Sequence, residues 1–312
     1  MRELRAAVVG AGRLGALHAA KYAALPGVRL TCVVDIDPAR AERVARLNGA
    51  DMLTDYRDLL GRVDLVSVAT PTVTHIEITA ALLAGRIDVL VEKPMTATVE
   101  QARELAALAQ GSSRILQVGH LERFNPAVMR SRPFIKGPKF IECHRLAPFT
   151  ERGTDVDVIF DLMVHDLDVI LSITGAEVAA VEAVGVAVLT ERIDIANARL
   201  RFDNGMIANL VTSRVSQRRE RKIRFFQADA YISLDYEART VQIYRRNPPP
   251  PGQLYPTISA ERIDLGEGDP LADEIADFVS CARSRSMPQV GVTDGLRVVE
   301  LCELISSAIK TV

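Results

Sequence analysis

The sequence predicts an α/β protein in two parts: a doubly wound parallel sheet over residues 1–120, then an α+β domain over 121–312 built on a large, mainly antiparallel open sheet. Three observations carry this. Up to about Gly119, apolar runs alternate with Ala-rich amphipathic stretches, the pattern of strands joined by crossover helices. After His120 the texture turns β-rich. At 312 residues the chain also exceeds what a single core comfortably fills.

The first strand, Leu4 to Val9, runs straight into Gly10-Ala11-Gly12-Arg13-Leu14-Gly15. In this G-x-G-x-x-G, Gly10 can take the positive φ of a tight turn, Gly12 lets the backbone approach a pyrophosphate, and Gly15 lets a helix sit close to its strand. A helix starting at Arg13 and Leu14 offers free N–H groups and its positive dipole end to phosphates. A second strand ends at Asp35, twenty residues past Gly15. A carboxylate there accepts hydrogen bonds from the adenosine ribose and repels a 2′-phosphate. NAD is therefore expected as cofactor ahead of NADP, with Arg40 as the nearby cation that would favour NADP instead.

Further strands are expected at 64–69, 87–91 and 114–118. Asp37-Pro38 opens one intervening helix and Asn48-Gly49 closes it, while Thr98 and Gln101 open another in the manner of a capping box. In the second part, strands are expected at 180–190, 197–201, 206–213, 223–226, 231–236 and 240–245, with Asp203-Asn204-Gly205 as a hairpin turn. Helices are expected at 157–173, 271–283 and 294–310. Pro248 to Pro251 must be an extended loop, since proline cannot donate to a ladder.

Composition narrows the function. Thirty-eight basic against forty acidic residues leave a net charge of −2, so no global field draws nucleic acid or an anionic membrane, and neither is expected as a partner. The apolar window Val178 to Leu189 contains Glu182 and is too short to cross a bilayer. Met1 to Arg5 lead into a strand with no apolar signal region. Cys32, Cys143, Cys281 and Cys302 form no C-x-x-C pair and read as reduced, packed thiols of a cytoplasmic protein. His18, His75, His120 and His144 show no ligand-like pairing with one another or with acids, so no metal site is expected.

A second constellation lies further on. The strand at 87–91 runs into Glu92-Lys93-Pro94. Ligands of open parallel sheets sit beyond the carboxyl ends of the strands, which points Lys93 at the crevice of the glycine turn. Pro94, able to take a cis linkage, sets the direction in which the lysine leaves. On the helix from Asp157, residues Asp157, Asp161, His165 and Asp168 are spaced i, i+4, i+8 and i+11 and fall on one face. Asp161, one turn from His165, is placed to orient the imidazole and raise its basicity. The plain alternatives are a solvated lysine after a strand and a polar helix face with an incidental histidine.

Taken together, the glycine motif, Ala69-Thr70-Pro71-x-x-x-His75, Glu92-Lys93-Pro94 and Asp161-x-x-x-His165 resemble the glucose-fructose oxidoreductase, inositol dehydrogenase and rhizopine-catabolism (Gfo/Idh/MocA) family along nearly the whole chain. The resemblance implies an N-terminal Rossmann domain for the nicotinamide cofactor and a C-terminal open sheet whose face often forms oligomer contacts. It places Thr70, Pro71, His75, Glu92 and Lys93 near the cofactor, Lys93 also at the reacting hydroxyl, and Asp161 and His165 beside it. Val118 to Pro126 and Ile223 to Tyr231 bear a narrower likeness to the branch that oxidises UDP-N-acetylglucosamine at C3 for the 3-amino sugars of lipid A. That likeness adds Arg123 and Asn125 to the substrate contacts and implies a homodimer or homotetramer with a downstream aminotransferase. Six basic residues from Arg214 to Arg224 either meet a substrate diphosphate or line a solvated strand face.

Oxidising a secondary alcohol needs a proton acceptor and alignment from the protein. A lysine, with its ordinary pKa of about 10.4, needs far more tuning for this than a histidine. His165, oriented by Asp161, is expected to take the proton while Lys93 holds and polarises the sugar oxygen, the reverse assignment staying open. Three rival functions also stay open: a dehydrogenase of a free cyclitol or aldose, an NAD-assisted glycosidase of the same fold, and a non-catalytic dinucleotide sensor.

Overall fold

The computed structural model describes residues 2–150 and 156–309. It divides into two compact units, one formed by the chain up to Leu121 with Asp269–Val299, the other by Glu122–Gly268 with the chain from Glu300.

In the first unit β1 (Leu4–Val9), β2 (Val28–Val34), β3 (Asp51–Leu53), β4 (Leu65–Val68), β5 (Asp88–Glu92) and β6 (Leu116–Gly119) pair in parallel in the order β3-β2-β1-β4-β5-β6. The order reverses between β1 and β4, which opens a crevice at their carboxyl ends. Every residue of β4, β5 and β6 is buried, which explains why none of them shows an in-and-out alternation. The connecting helices are α1 (Arg13–Ala24), α2 (Pro38–Leu47), α3 (His75–Ala84) and α4 (Val99–Ser112). Asp37 caps α2 by accepting from Ala39 N and Arg40 N, with Pro38 in the first turn. Thr98 accepts from Gln101 N, and the Gln101 side chain accepts in return from Ala97 N. Only β3, three residues with two exposed, was hidden from periodicity.

The second unit begins with α5 (Pro126–Ser131) and β7 (Phe140–Leu146) and continues through α6 (Val164–Thr174), β8 (Val178–Val186), β9 (Ile195–Phe202), β10 (Ile207–Ser213), β11 (Glu220–Phe226), β12 (Ala230–Asp235), β13 (Thr240–Asn247) and β14 (Thr257–Asp264). Its eight strands lie in the order β14-β13-β12-β11-β7-β10-β9-β8 and are antiparallel except for the pair β10 and β7. The hairpin at Gly205 forms as expected, with φ +79° and Phe202 N donating to Met206 O. Two strands were unforeseen. β7 carries Glu142, His144 and Arg145 among its apolar residues, and β14 is an almost wholly exposed edge. The expected single helix at 157–173 is in two pieces, a π-helical turn at Ile159–Met163 followed by α6.

The two closing helices, α7 (Pro270–Ser284) and α8 (Val292–Ala308), depart from the expected partition at residue 120. Residues 269–299 pack into the first unit. On α7, Leu271, Ile275, Phe278, Val279 and Ala282 form one stripe, buried in the same core as Ala19 and Tyr22 of α1. Gly295 of α8 lies so close to the sheet that a Cβ there would stand 2.8 Å from Val118 Cγ2. Amphipathic spacing shows that a helix buries a face, not against which element. Lys310, the expected end of the last helix, lies outside the described residues.

The basic run is matched by acids on the second unit. Arg214 pairs with Asp194, Arg218 with Glu220, Arg221 with Glu237, Lys222 with Asp235 and Arg224 with Glu142. Asp194, fully buried, also accepts from Val188 N, Leu189 N, Thr190 N and the Thr190 hydroxyl at 2.7–2.8 Å. Burial opposes its charge, but these donors outweigh burial and hold the carboxyl at about 2, below the ordinary 3.8. A depressed folded value stabilises fully above about pH 4, and that contribution is lost as pH falls toward 2. Asp194→Asn is therefore expected to unfold at a lower temperature than the wild type at neutral pH and to lose less stability between pH 4 and 2. Equal acid sensitivity of the two in thermal melts would contradict this.

Candidate active site

The glycine turn joins β1 to α1 at the crevice. Gly10 has φ +96°, and a Cβ there would stand 2.4 Å from Ala69 O. A Cβ on Gly15 would stand 1.7 Å from Gly10 O, so only glycine lets α1 sit this close. Nothing approaches within 4 Å of where a Gly12 Cβ would be, and no side chain caps the start of α1. The open space faces a helix N-terminus, the requirement for a pyrophosphate. Arg13 there is exposed and Leu14 half-buried. A pocket of about 500 Å³ adjoins, lined among others by Gly10, Gly12, Asp35, Arg40, Thr70 and Pro71.

Asp35 accepts from Ala11 N at 2.8 Å and Asp37 N at 2.9 Å, so it braces the glycine turn and the following loop while facing the pocket. Arg40 bonds Asp37 at 2.8 Å. This donor set fits NAD: backbone N–H groups for the diphosphate and a carboxylate where a 2′-phosphate would have to lie. Ile36, Thr54, Tyr56, Thr74 and Ile78 also line the pocket and were not singled out from sequence. Thr54 and Tyr56 follow β3, whose brevity concealed them. Ile36 did leave a signal, as a large apolar residue directly after the strand-end acid. Asp35→Ala is expected to weaken NAD binding about tenfold or more and to narrow the preference over NADP, since one buried charged hydrogen bond is worth about 1.5–3 kcal/mol. Unchanged titrations with both dinucleotides would refute the role.

At the end of β5, Lys93 is half-buried and linked to Pro94 by a cis peptide bond. Glu92 is buried beneath it, with Oε1 2.9 Å from His18 Nε2 and Oε2 accepting from Lys93 N at 3.3 Å. His18, read from sequence as having no acidic partner, thus has one. His75 is buried at the start of α3, with Nδ1 3.0 Å from Pro94 O and Nε2 2.9 Å from Thr70 O. It ties the Lys93-Pro94 turn to the Thr70 turn rather than lining the described pocket. Burial lowers the His75 pKa, and the two carbonyl oxygens only partly offset that.

In the second unit Asp161 and His165 are half-buried, the first within the π turn and the second in the opening turn of α6. The expected four-residue polar face does not survive. Asp157 is taken up in accepting from Ile159 N and Phe160 N, and the π turn shifts the helical phase that the spacing assumed. Asp168 is fully buried in a two-pronged pair with Arg123, at 2.7 and 2.8 Å. Next to His165, Asp166 makes the same kind of pair with Arg145, at 2.8 and 2.9 Å, and Arg145 also reaches Glu122 at 3.2 Å. Burial works against the Arg145 charge, but Asp166 and Glu122 prevail and raise its pKa. Of the expected substrate contacts, Arg123 is therefore engaged with Asp168. Asn125 caps α5 by accepting from Ala127 N and donates to Glu122. His120 is buried, and His144 lies between Glu142 and Glu220 at 3.6 and 3.5 Å.

A parallel sheet with a dinucleotide cradle at its switch point, followed by a mixed open sheet, defines a two-domain nicotinamide-dependent oxidoreductase. The chain belongs to the Gfo/Idh/MocA oxidoreductase family: residues 4–120 match the oxidoreductase family model with an NAD-binding Rossmann fold, and residues 136–233 match the GFO/IDH/MocA C-terminal domain. It is 41% identical over 282 residues to UDP-N-acetylglucosamine 3-dehydrogenase from Acidithiobacillus ferrooxidans, covering 90% of this chain and 89% of that one. A solved structure of that enzyme superposes with a TM-score of 0.92 at 37% identity, over 99% of this chain and 98% of the other. An inositol 2-dehydrogenase from Pseudarthrobacter chlorophenolicus is 35% identical over 191 residues, 57% of this chain and 56% of that protein.

Proposed function

We propose that this protein oxidises UDP-N-acetylglucosamine at the C3 hydroxyl, with NAD as oxidant, to the 3-keto sugar. The observation that carries the reading is the likeness to a UDP-N-acetylglucosamine 3-dehydrogenase over nine-tenths of the chain, and the Glu92-Lys93-Pro94 turn at the carboxyl end of β5 supports it. NAD, when bound, supplies the two-electron oxidant for the carbinol carbon. The protein's own residues do the rest. Gly12 and the start of α1 take the diphosphate, and Asp35 takes the ribose. Lys93 holds and polarises the sugar oxygen, and His165, oriented by Asp161, accepts the hydroxyl proton. Arg123 and Asn125 act indirectly, by fixing α6 and α5. The same reading makes the protein a cytoplasmic homodimer or homotetramer whose keto product passes to an aminotransferase. No described helix is long and apolar enough to cross a membrane.

Mass spectrometry of reactions with NAD and a panel of UDP-sugars and free sugars tests this. The expected result is loss of two hydrogen masses from UDP-N-acetylglucosamine with formation of NADH. Turnover of a free cyclitol or aldose with no response to any UDP-sugar would overturn it.

A further inference from the structure

We propose that His18 is a positioning residue for the sugar-oxidising step: from within α1 it holds the Glu92 carboxylate, which fixes the backbone from which Lys93 departs. The inference deepens the function proposed above and rests on it for the role of Lys93.

His18 is fully buried, too deep to touch substrate or cofactor, yet it sits on the helix that begins directly after the glycine turn. Its Nε2 lies 2.9 Å from Glu92 Oε1, across 74 residues of sequence. The other carboxylate oxygen accepts the backbone N–H of Lys93. Opposite Glu92 in the β5–β6 register stands Gly119, where a Cβ would come within 3.0 Å of the Glu92 carboxylate. The missing side chain leaves the carboxylate its place. A second buried carboxylate, Glu274 of α7, brings an oxygen within 4.8 Å of both His18 and Glu92, and Gln117 Nε2 donates to the Glu274 carbonyl.

Two carboxylates so close in a water-poor interior repel each other, and a buried carboxylate that loses a hydrogen-bond donor is costly. The imidazole supplies that donor contact on the side away from Lys93. Without it, Glu92 turns toward other donors and carries the Lys93 peptide with it. Displacement of a reacting group by about 1 Å is enough to cost on the order of 10²-fold in rate.

The test uses full-length protein carrying ε-13C-lysine, in which the Lys93 signal is identified by its loss in Lys93→Arg and compared with those of Lys21, Lys136, Lys139 and Lys222. In His18→Leu the Lys93 signal is expected to shift while the other lysine signals stay in place and NAD affinity holds within about threefold. Gly119→Ala, which leaves His18 intact, should shift the same signal, and His18→Gln, which keeps a donor, should return it toward the wild-type position. Turnover of whichever sugar the wild type oxidises is expected to fall about 10²-fold in kcat for His18→Leu, with KM for NAD unchanged. A Lys93 signal unmoved in folded His18→Leu overturns the inference, as does an unchanged kcat. The lysine spectrum needs no substrate, so failure of the sugar assignment would show in the wild-type assay and failure of the positioning role in the spectrum.

Discussion

His165→Ala is expected to lower kcat for sugar oxidation by about 10²–10⁴-fold, the usual contribution of a positioned acid or base. It should also abolish the rise of rate with pH through neutrality. The sign follows from the chemistry: an imidazole accepts a proton only when neutral, so with His165 as the proposed acceptor the rate is expected to rise with pH and then level off. Lys93→Ala is expected to cost a similar factor, divided differently, with KM for the sugar rising because in the proposed mechanism the amine also holds the oxygen that reacts. Neither change touches the glycine turn or Asp35, so NAD affinity in both should stay within a few-fold. Initial rates from pH 5 to 10, together with dinucleotide titrations, decide it. A His165→Ala enzyme with rate and pH profile intact removes the imidazole from the mechanism and leaves Lys93 as the acceptor.

Arg145→Met is expected to destabilise the second unit by about 3–5 kcal/mol, out of a total that is typically about 5–15 kcal/mol for a domain. Arg145 is buried between Asp166 and Glu122, with its guanidinium 5.6 Å from the centre of the Tyr236 ring. Removing it leaves two carboxylates in a low-dielectric interior with no cation to pair with. The companion experiment is Arg145→Met with Asp166→Leu, which removes both ends of the pair and should regain much of the loss, since an apolar pair avoids the desolvation cost altogether. Urea unfolding of the three proteins measures this. A loss below about 1 kcal/mol for Arg145→Met would show that the pair is no more than a surface-type contact. Because Asp166 adjoins His165 in α6, folded Arg145→Met is also expected to turn over more slowly, the imidazole losing its anchor.

Much of this molecule is legible along the chain. The glycine turn, the strand-end acid, the caps at Asp37 and Thr98 and the hairpin at Gly205 are local signals, in which backbone geometry and nearest-neighbour hydrogen bonds determine the residue type. The position of Lys93 at the end of a buried strand is local in the same way. What could not be read was which buried groups meet. His18 finds Glu92, Arg145 finds Asp166 and Arg123 finds Asp168, while Asp157 and Asp168 leave the polar face where their spacing had put them. α7 packs on the core of the first unit although it follows the whole second sheet. The sequence by itself determined most of the elements and the cofactor cradle, because each is set by contacts a few residues apart. Only the tertiary structure decided the partners of the buried charges and the unit to which α7 belongs, because desolvation and packing act between surfaces that the chain brings together only on folding.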